Sequence, residues 1–357
     1  MKENKKKSKP SLVHRTIIIV FISGLALLSI VAFDLYKKVF KANIEFGEGI
    51  EERYIFINSN SDFSDVVSLL DKNKLLVDVN SFKWLAEKKN YINKIKPGKY
   101  FIDRKMSNND LINLLRSGRQ SPVKVTFNNV RSLKDVSSKL SQYLEADSAQ
   151  INEAFLDEDF LLKNNFNQNN IISIFIPNTY EFYWNTSANE LRKRMMREHK
   201  SFWNRDRKKK ASKLKLSFAE VSTLASIVEK EQNIRKDERP KIAGLYLNRI
   251  FQGMKLESDP TLIFALKDFN INRVLNKDKK VNSPYNTYKF KGLPPGPICI
   301  PSINSIDAVL NAENHDYIFM CAKEDLSGYH NFSTNYRQHL IYAKKYQRML
   351  NKKRILR

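Results

Sequence analysis

The chain has 357 residues and a formal net charge of +24, and 42% of its residues are hydrophobic. This hydrophobic content predicts folded domains and argues against a disordered chain. The positive charge favours anionic partners such as nucleic acid, lipid headgroups or acidic wall polymers, without selecting among them. Two cysteines, Cys299 and Cys321, are too few for a disulfide framework, and we expect two separate buried thiols.

An uninterrupted run of uncharged residues, 16–33, lies close to the N-terminus. It is long enough for a helix that crosses the hydrocarbon core of a bilayer. The lysine-rich tail at residues 1–15 predicts a cytosolic N-terminus. A cleaved signal peptide is the alternative, but its apolar run is usually shorter, and no small-residue cleavage site follows Phe33. We predict an uncleaved transmembrane anchor at 16–36 with the rest of the chain outside the cytosol, which argues against a nucleic-acid partner.

Residues 50–118 have the pattern of a small β-α-α-β unit followed by one more helix. Strand character at 54–57 and at 99–102 encloses two short helical patterns. Ser107 begins a capping-box pattern for the last helix, which is expected to end near Gly118.

The region 119–215 has mixed patterns. The sequence predicts a strand at 123–127, short helices around 133–145 and 148–163, an apolar run at 171–176 and a basic helix at 192–215. We interpret the basic helix as a solvated face and not as a binding site.

The helix that begins after Ser217 carries the first candidate catalytic group. Its residues begin with a capping box. At about 100° per residue, Glu231 falls on the apolar face, whereas Glu229 points away from it. Burial raises the pKa of a carboxylate, as a general acid working near neutral pH requires. The alternative is a structural glutamate bonded to backbone or to an arginine such as Arg249.

Polar and aromatic segments follow that helix. Asp259 precedes Pro260, which predicts that Asp259 caps the next helix, with a direct catalytic role as the alternative. The segment SPYNTY at 283–288 is polar where a core strand would be apolar, and tyrosine rings can cover the faces of pyranose sugars. His330 and His339 lack a third ligand in the sequence around them, so neither a metal nor another cofactor is expected.

Five motifs follow the predicted anchor in a fixed order. They are LASIVEKE at 224–231, SDPT at 258–261, YNTY at 285–288, GLPPGPI at 292–298 and HNFST at 330–334. Together they closely resemble the endolytic murein transglycosylase family (YceG-like, MltG). The resemblance covers almost the whole chain and is strongest over 216–339. The chain has Asn178 where the family often has an acidic residue, so the role of that charge is open.

The resemblance implies the fold class and the domains. We expect an α+β protein with a single N-terminal transmembrane helix, a small LysM-like βααβ module and a mixed α/β catalytic domain. The expected bounds are 50–118 for the LysM-like module, 119–215 for a connecting α/β region and 216–350 for the catalytic domain.

The resemblance also implies the activity and its place. The expected reaction cuts the MurNAc–GlcNAc bond of nascent peptidoglycan strands and leaves 1,6-anhydro-MurNAc ends. It would occur on the outer (periplasmic) side of the bacterial cytoplasmic membrane, beside cell-wall synthesis enzymes. The family's catalytic glutamate falls on Glu231, which we expect to act first as an acid and then as a base. The candidate substrate-binding residues are Ser258, Asp259, Tyr285, Asn286, Tyr288 and Phe332.

Two other functions stay open from the sequence. A hydrolytic muramidase would use Asp259 as a second carboxylate. A non-catalytic peptidoglycan-binding scaffold would not need Glu231 at all. The sequence leaves undecided the length of glycan cut, the protein partners and the oligomeric state.

Overall fold

The computed structural model describes residues 12–46, 52–127, 130–271 and 274–353. Residues 1–11 of the predicted basic tail lie outside this part. The first element is α1 (Leu12–Phe40), which contains the whole predicted anchor and has no buried residue. An 18-residue window of this helix has a mean hydropathy of 2.7, which together with the helix length fits a membrane span, and an N-terminal signal sequence would have the same character.

The described residues form two compact units. The first comprises the residues up to Pro122 together with Tyr183–Asn185, and the second comprises Val123–Phe182 and the residues from Thr186 onward. All three sheets of the described chain are antiparallel pairs of strands, joined as β1–β2, β3–β4 and β5–β6. The prediction of a mixed helix-and-strand fold is therefore confirmed.

The first unit has the predicted β-α-α-β order. Its elements are β1 (Glu52–Ile57), α2 (Phe63–Lys72), α3 (Val79–Lys88), β2 (Gly98–Asp103) and α4 (Asn108–Ser117). Alternate residues of β2, including Tyr100 and Ile102, are buried, as expected for a strand with one face on a core. Ser107 and Asp110 form the predicted capping box, and Gly118 ends α4 with a left-handed φ of 73°.

The second unit begins with short elements around a small sheet. They are β3 (Val123–Thr126), α5 (Leu133–Leu140), α6 (Ser148–Phe155), α7 (Glu158–Lys163) and β4 (Thr179–Phe182). The apolar run at 171–176 forms one turn of 3₁₀ helix, Ile171–Ile174, and is buried. The predicted basic helix at 192–215 is two helices, α8 (Ala188–Phe202) and α9 (Arg205–Lys213), because Asn204 caps a new helix.

The rest of the second unit is arranged around one buried helix. Its elements are α10 (Phe218–Glu231), α11 (Arg239–Phe251), α12 (Asp259–Leu266), α13 (Ile303–Leu310), β5 (Phe319–Ala322), β6 (His330–Ser333) and α14 (Tyr336–Lys352). Every residue of α10 from Val221 to Val228 is buried. The prediction of a single apolar face was therefore incomplete, since polar residues are also enclosed. Among them, Thr223 and Ser226 donate their hydroxyls to backbone oxygens of the same helix. A helix buried on all sides is a fixed support for the residues at its ends.

The proline-rich loop at 292–297 packs on this core. The backbone N–H of Ile298, just after the loop, donates to Oγ of Ser226 at 3.0 Å. A Cβ on Gly296 would lie 2.0 Å from the backbone oxygen of Asn169, so only glycine fits this close approach. The loop is thus a rigid connector against α10.

Candidate functional site

Glu231 is the last residue of α10, and two hydroxyl groups hold its carboxyl. Oε1 accepts a hydrogen bond from Oγ of Ser258 at 2.5 Å and one from the phenol of Tyr246 at 2.7 Å. Within the described chain no hydrogen bond reaches Oε2. One oxygen is therefore fixed by the protein, and the other is left for a ligand.

The environment of Glu231 raises its pKa. Burial is the largest cause, because the surrounding protein disfavours the charged form. The hydrogen bonds from Ser258 and Tyr246 lower the pKa, the negative charge of Asp259 raises it and His330 lowers it. The net direction is upward, as a general acid requires.

Tyr246 is a site residue that the sequence prediction missed. It lies on α11 and is buried, and burial followed by the charge of Glu231 raises the pKa of its phenol well above the ordinary value. The phenol therefore stays protonated and can only donate to the carboxylate. A buried tyrosine within the apolar run 242–247 needs a partner for its hydroxyl, and this was the available signal.

Glu231 opens into a cleft of about 550 Å³. The cleft is formed by the end of α10, by α11, α12, β5 and β6, and by the start of α14. Its polar and ionisable lining residues are Glu231, Tyr246, Arg249, Glu257, Asp259, Lys279, Tyr288, Cys321, His330, Tyr336 and His339.

Cys299 and Cys321 are both free, and Cys321 is only half-buried.

Asp259 and Tyr288 meet in this cleft. The Tyr288 phenol donates to Oδ1 of Asp259 at 2.6 Å, and Nζ of Lys279 lies 4.6 Å from the centre of the Tyr288 ring. The prediction that Asp259 caps a helix was wrong. Ser258 occupies the cap position and Asp259 is the first residue of α12, so Pro260 comes one position later than expected.

Ser258 donates to the Glu231 carboxyl and does not line the cleft. It is 1% exposed, and its backbone N–H donates to Oγ1 of Thr287 at 3.0 Å. The residue before it, Glu257, has a left-handed φ of 54° and is held by an ion pair with Arg249 at 3.2 Å. Backbone strain of this kind is found where surrounding contacts determine a side chain's position.

Besides Ser258, three predicted substrate residues do not line the cleft. Asn286 is 0% exposed, and its amide donates to the backbone oxygens of Lys279 and Val281. The ring of Tyr285 packs against Phe264 at 4.7 Å. The structure therefore gives Asn286 and Tyr285 a role in shaping the loop that carries Tyr288.

Phe332, on β6, is the third of these residues. It is half-buried and packs against the core around α10, with its ring 5.6 Å from that of Tyr317. On the same strand, His330 does line the cleft.

A second buried carboxylate, Glu238, pairs with the cleft residue His330. Oε2 of Glu238 pairs with Nδ1 of His330 at 2.7 Å and accepts from Nε2 of Gln232 at 2.6 Å. Burial raises the pKa of Glu238, but these hydrogen bonds outweigh it and the net pKa is lowered. Because Gln232 directly follows Glu231, this network fixes the end of α10.

Glu229 and Arg249 have other partners than Glu231. Glu229 accepts from the backbone N–H of Ser302 and from Oγ of Ser305, both at 2.7 Å, at the start of α13. Arg249 donates to the backbone oxygens of Ile318 and Leu256. The alternative in which Arg249 neutralises a structural Glu231 is therefore wrong.

Asn178 lies in a bend just before β4. Its side-chain oxygen accepts from the backbone N–H of Thr179 at 2.8 Å, a bond that an aspartate could also accept.

The fold and the site agree with what comparison with known proteins finds. The model of the YceG-like family matches residues 55–345, and the chain belongs to this family, as its motifs predicted. A Bacillus subtilis relative named endolytic murein transglycosylase is 29% identical over 76% of this chain and 79% of its own length. A Streptococcus pneumoniae relative of the same name is 27% identical over 86% of this chain, which spans 61% of that longer protein.

A solved structure supports the fold. The crystal structure of a YceG-like protein from Listeria monocytogenes has a TM-score of 0.53 with this chain at 25% identity. The match covers 82% of this chain and 98% of the Listeria chain.

Proposed function

We propose that this protein is a membrane-anchored endolytic murein transglycosylase that cuts the MurNAc–GlcNAc bond of nascent peptidoglycan strands. Its family membership and the names of its relatives support the reaction class. The observation that carries the proposal is the carboxyl of Glu231. It lines the cleft, its pKa is raised by burial, and its Oε2 receives no hydrogen bond from the described chain.

The hydrogen bonds from Ser258 and Tyr246 to Glu231 are consistent with a single carboxyl that acts first as an acid and then as a base. Since Oε1 accepts from both Ser258 and Tyr246, the acidic proton belongs on Oε2. In the proposed first step this proton moves to the glycosidic oxygen as its bond to the MurNAc anomeric carbon breaks. The released GlcNAc end then carries a hydroxyl, and Glu231 is a carboxylate.

In the proposed second step the Glu231 carboxylate takes the proton of the MurNAc C6 hydroxyl while that oxygen bonds to the anomeric carbon. The product is a 1,6-anhydro end, and Glu231 is protonated again. The nucleophile belongs to the same sugar, which gives it a high effective concentration and requires no positioned water. Ser258 and Tyr246 stabilise the carboxylate between the two steps, whereas burial favours the protonated form before them.

A hydrolytic muramidase is the second candidate, because Asp259 lines the same cleft. The hydrogen bond from Tyr288 to Asp259 argues against a free second base. Mass spectrometry of glycan strands digested by the purified protein separates the two reactions. Anhydro ends support the transglycosylase, and reducing MurNAc ends support the muramidase.

The same digest tests the scaffold alternative with variants. Glu231→Gln is expected to lose cleavage by roughly 10²- to 10⁴-fold, the usual contribution of a general acid–base group. Glu181→Gln, on an exposed carboxylate of β4, is the matched control and should cleave normally. Equal activity of Glu231→Gln and the control would refute the proposed chemistry.

The location and the glycan contacts are also part of the proposal. We assign α1 as an uncleaved single-pass anchor with a cytosolic N-terminus and the catalytic unit on the periplasmic side. The β1–α2–α3–β2 unit is proposed to act as a LysM-like glycan grip, and cell-wall synthesis enzymes are the proposed protein partners. Retention of the N-terminal sequence in mature protein from membranes, measured by mass spectrometry, tests the anchor.

A further inference from the structure

A second cavity lies in the catalytic unit, away from Glu231. It has a volume of about 500 Å³ and is lined by residues of α8, α9 and the start of α10. Ala219 lines this cavity, and Glu231 lies 12 residues later on the same helix. At 1.5 Å per residue the two are about 18 Å apart along the axis of α10. The cavity is therefore separate from the catalytic cleft.

The walls of this cavity are aromatic. Trp203 and Phe218 stack with their ring centres 4.5 Å apart, and the His199 ring lies 6.2 Å from that of Trp203. Phe166 meets His199 edge-on at 5.6 Å. Such walls suit a flat apolar group.

Two polar atoms in these walls are unused. Trp203 is 1% exposed and His199 is 4% exposed, and among the described residues neither Nε1 of Trp203 nor Nε2 of His199 has a hydrogen-bond partner. Burial, and then the charge of Lys200, lowers the pKa of His199 to about 4, so its ring is neutral at neutral pH. Buried polar groups are normally paired, so these two enclosed nitrogen atoms are exceptions in the walls of this cavity.

The charges at this cavity have one sign. Lys200 and Lys208 line it and are exposed, and no ion pair joins either to an acid in the described chain. Its lining, taken over those same residues, contains no Asp or Glu. This charge pattern favours an anionic ligand over a neutral or cationic one.

We propose that this cavity binds a small amphiphilic anion. Its flat apolar body would lie along the aromatic walls, and its negative group would lie between Lys200 and Lys208. The nitrogen atoms of Trp203 and His199 are themselves enclosed by the protein, so the aromatic walls and the two lysines carry the binding. The site is independent of the glycan-cutting reaction and does not use Glu231.

Two fluorescent probes with a shared aromatic frame test this proposal. One is 8-anilinonaphthalene-1-sulfonate, an anion, and the other is the neutral N-phenyl-1-naphthylamine. The full chain is used in detergent micelles, with Trp84→Phe and Trp184→Phe substitutions, so that Trp203 is the remaining tryptophan. Energy transfer from Trp203 to the bound probe then reports this cavity, with micelles alone as the blank.

We expect saturable energy transfer with both probes and tighter binding of the anion. The double variant Lys200→Gln with Lys208→Gln should weaken the anion roughly tenfold, the scale of two exposed charge contacts, and leave the neutral probe unchanged. Lys209 lies next to Lys208 on α9 but does not line the cavity, so Lys209→Gln should change the affinity of neither probe. Glycan cleavage should be normal in the double variant and in Lys209→Gln.

A cavity-filling variant, Ala219→Leu, should weaken both probes while the thermal melt stays cooperative. If that variant does not fold, the lysine pair and the two probes still decide the matter. The proposal is overturned if energy transfer does not saturate, or if the two probes bind equally. An equal effect of Lys209→Gln and of the double variant would also overturn it.

Discussion

The phenol of Tyr246 donates a 2.7 Å hydrogen bond to Oε1 of Glu231 across an interval of 15 residues. Both residues lie on helices of the same core, α10 and α11, so the pair is held by packing that does not depend on a bound ligand. A buried phenol that stays protonated is a permanent donor to the carboxyl. This pairing, with the one from Ser258, occupies Oε1 and leaves Oε2 of Glu231 available to a ligand.

Removal of the Tyr246 hydroxyl is the most direct test of this relationship. Tyr246→Phe should slow glycan cleavage roughly tenfold to hundredfold, since a hydrogen bond to a charged group contributes about 1.5–3 kcal/mol. The hydrogen bond lowers the pKa of Glu231, so its loss should move the alkaline limb of the pH–rate profile to higher pH. The rate of anhydro-end formation against pH checks both. An unchanged profile would show that Tyr246 is only structural.

The charge of Asp259 should have the opposite effect on the same limb. Asp259 raises the pKa of Glu231, so Asp259→Asn should move the alkaline limb to lower pH while anhydro ends still form. The asparagine oxygen can still accept from Tyr288, which preserves the local geometry. Complete loss of cleavage by Asp259→Asn at every pH would favour the muramidase reading.

Glu231 also affects stability in a pH-dependent way. Its folded-state pKa is raised, so the folded state holds a proton that the unfolded state loses first. Folding stability from this group is full below the unfolded pKa and falls as pH rises through the folded pKa. Glu231→Gln should therefore melt higher than the wild type at pH 8 and equally at pH 4, measured by calorimetry. A lower melting temperature at pH 8 would contradict the raised pKa.

Glu238 should behave in the reverse sense. Its net pKa is lowered by His330 and Gln232, so its stabilisation is present above the unfolded pKa and is lost as pH falls through the folded pKa. Glu238→Gln should destabilise the protein by about 1–3 kcal/mol at neutral pH, because the buried network loses a partner. The difference should narrow in acid, and chemical denaturation at pH 7 and pH 4 measures it. A constant difference would assign the loss to packing alone.

Tyr54 on β1 is a test of the proposed glycan grip. It is 44% exposed beside Phe101. In a Glu231→Gln background, which prevents digestion, Tyr54→Ser should reduce retention of the full chain on insoluble peptidoglycan severalfold. Val77→Ser changes another exposed apolar side chain of the same unit, 65% exposed, and is the control that should be retained normally. Equal retention of both variants would show that Tyr54 does not contact the glycan.

Local sequence rules predicted many helix ends in this chain. Ser107 with Asp110, and Ser217 with Glu220, form capping boxes at the predicted positions. Capping depends on residues three positions apart, so the sequence contains all the necessary information. The prediction for Asp259 failed because it used only the neighbouring Pro260. The helix begins at Asp259, one residue earlier than the position of the proline suggested.

The motifs in order determined the family, and helix phase with the motif selected Glu231 as the candidate acid. What surrounds Glu231 was decided by tertiary structure alone. Ser258 reaches it from 27 residues away and Tyr246 from the next helix, whereas Asn286, chosen for its polarity, is used inside its own loop. Periodicity records which face of one element is apolar. The partners of a buried hydroxyl or amide depend on how separate elements pack, and only the folded chain sets those distances.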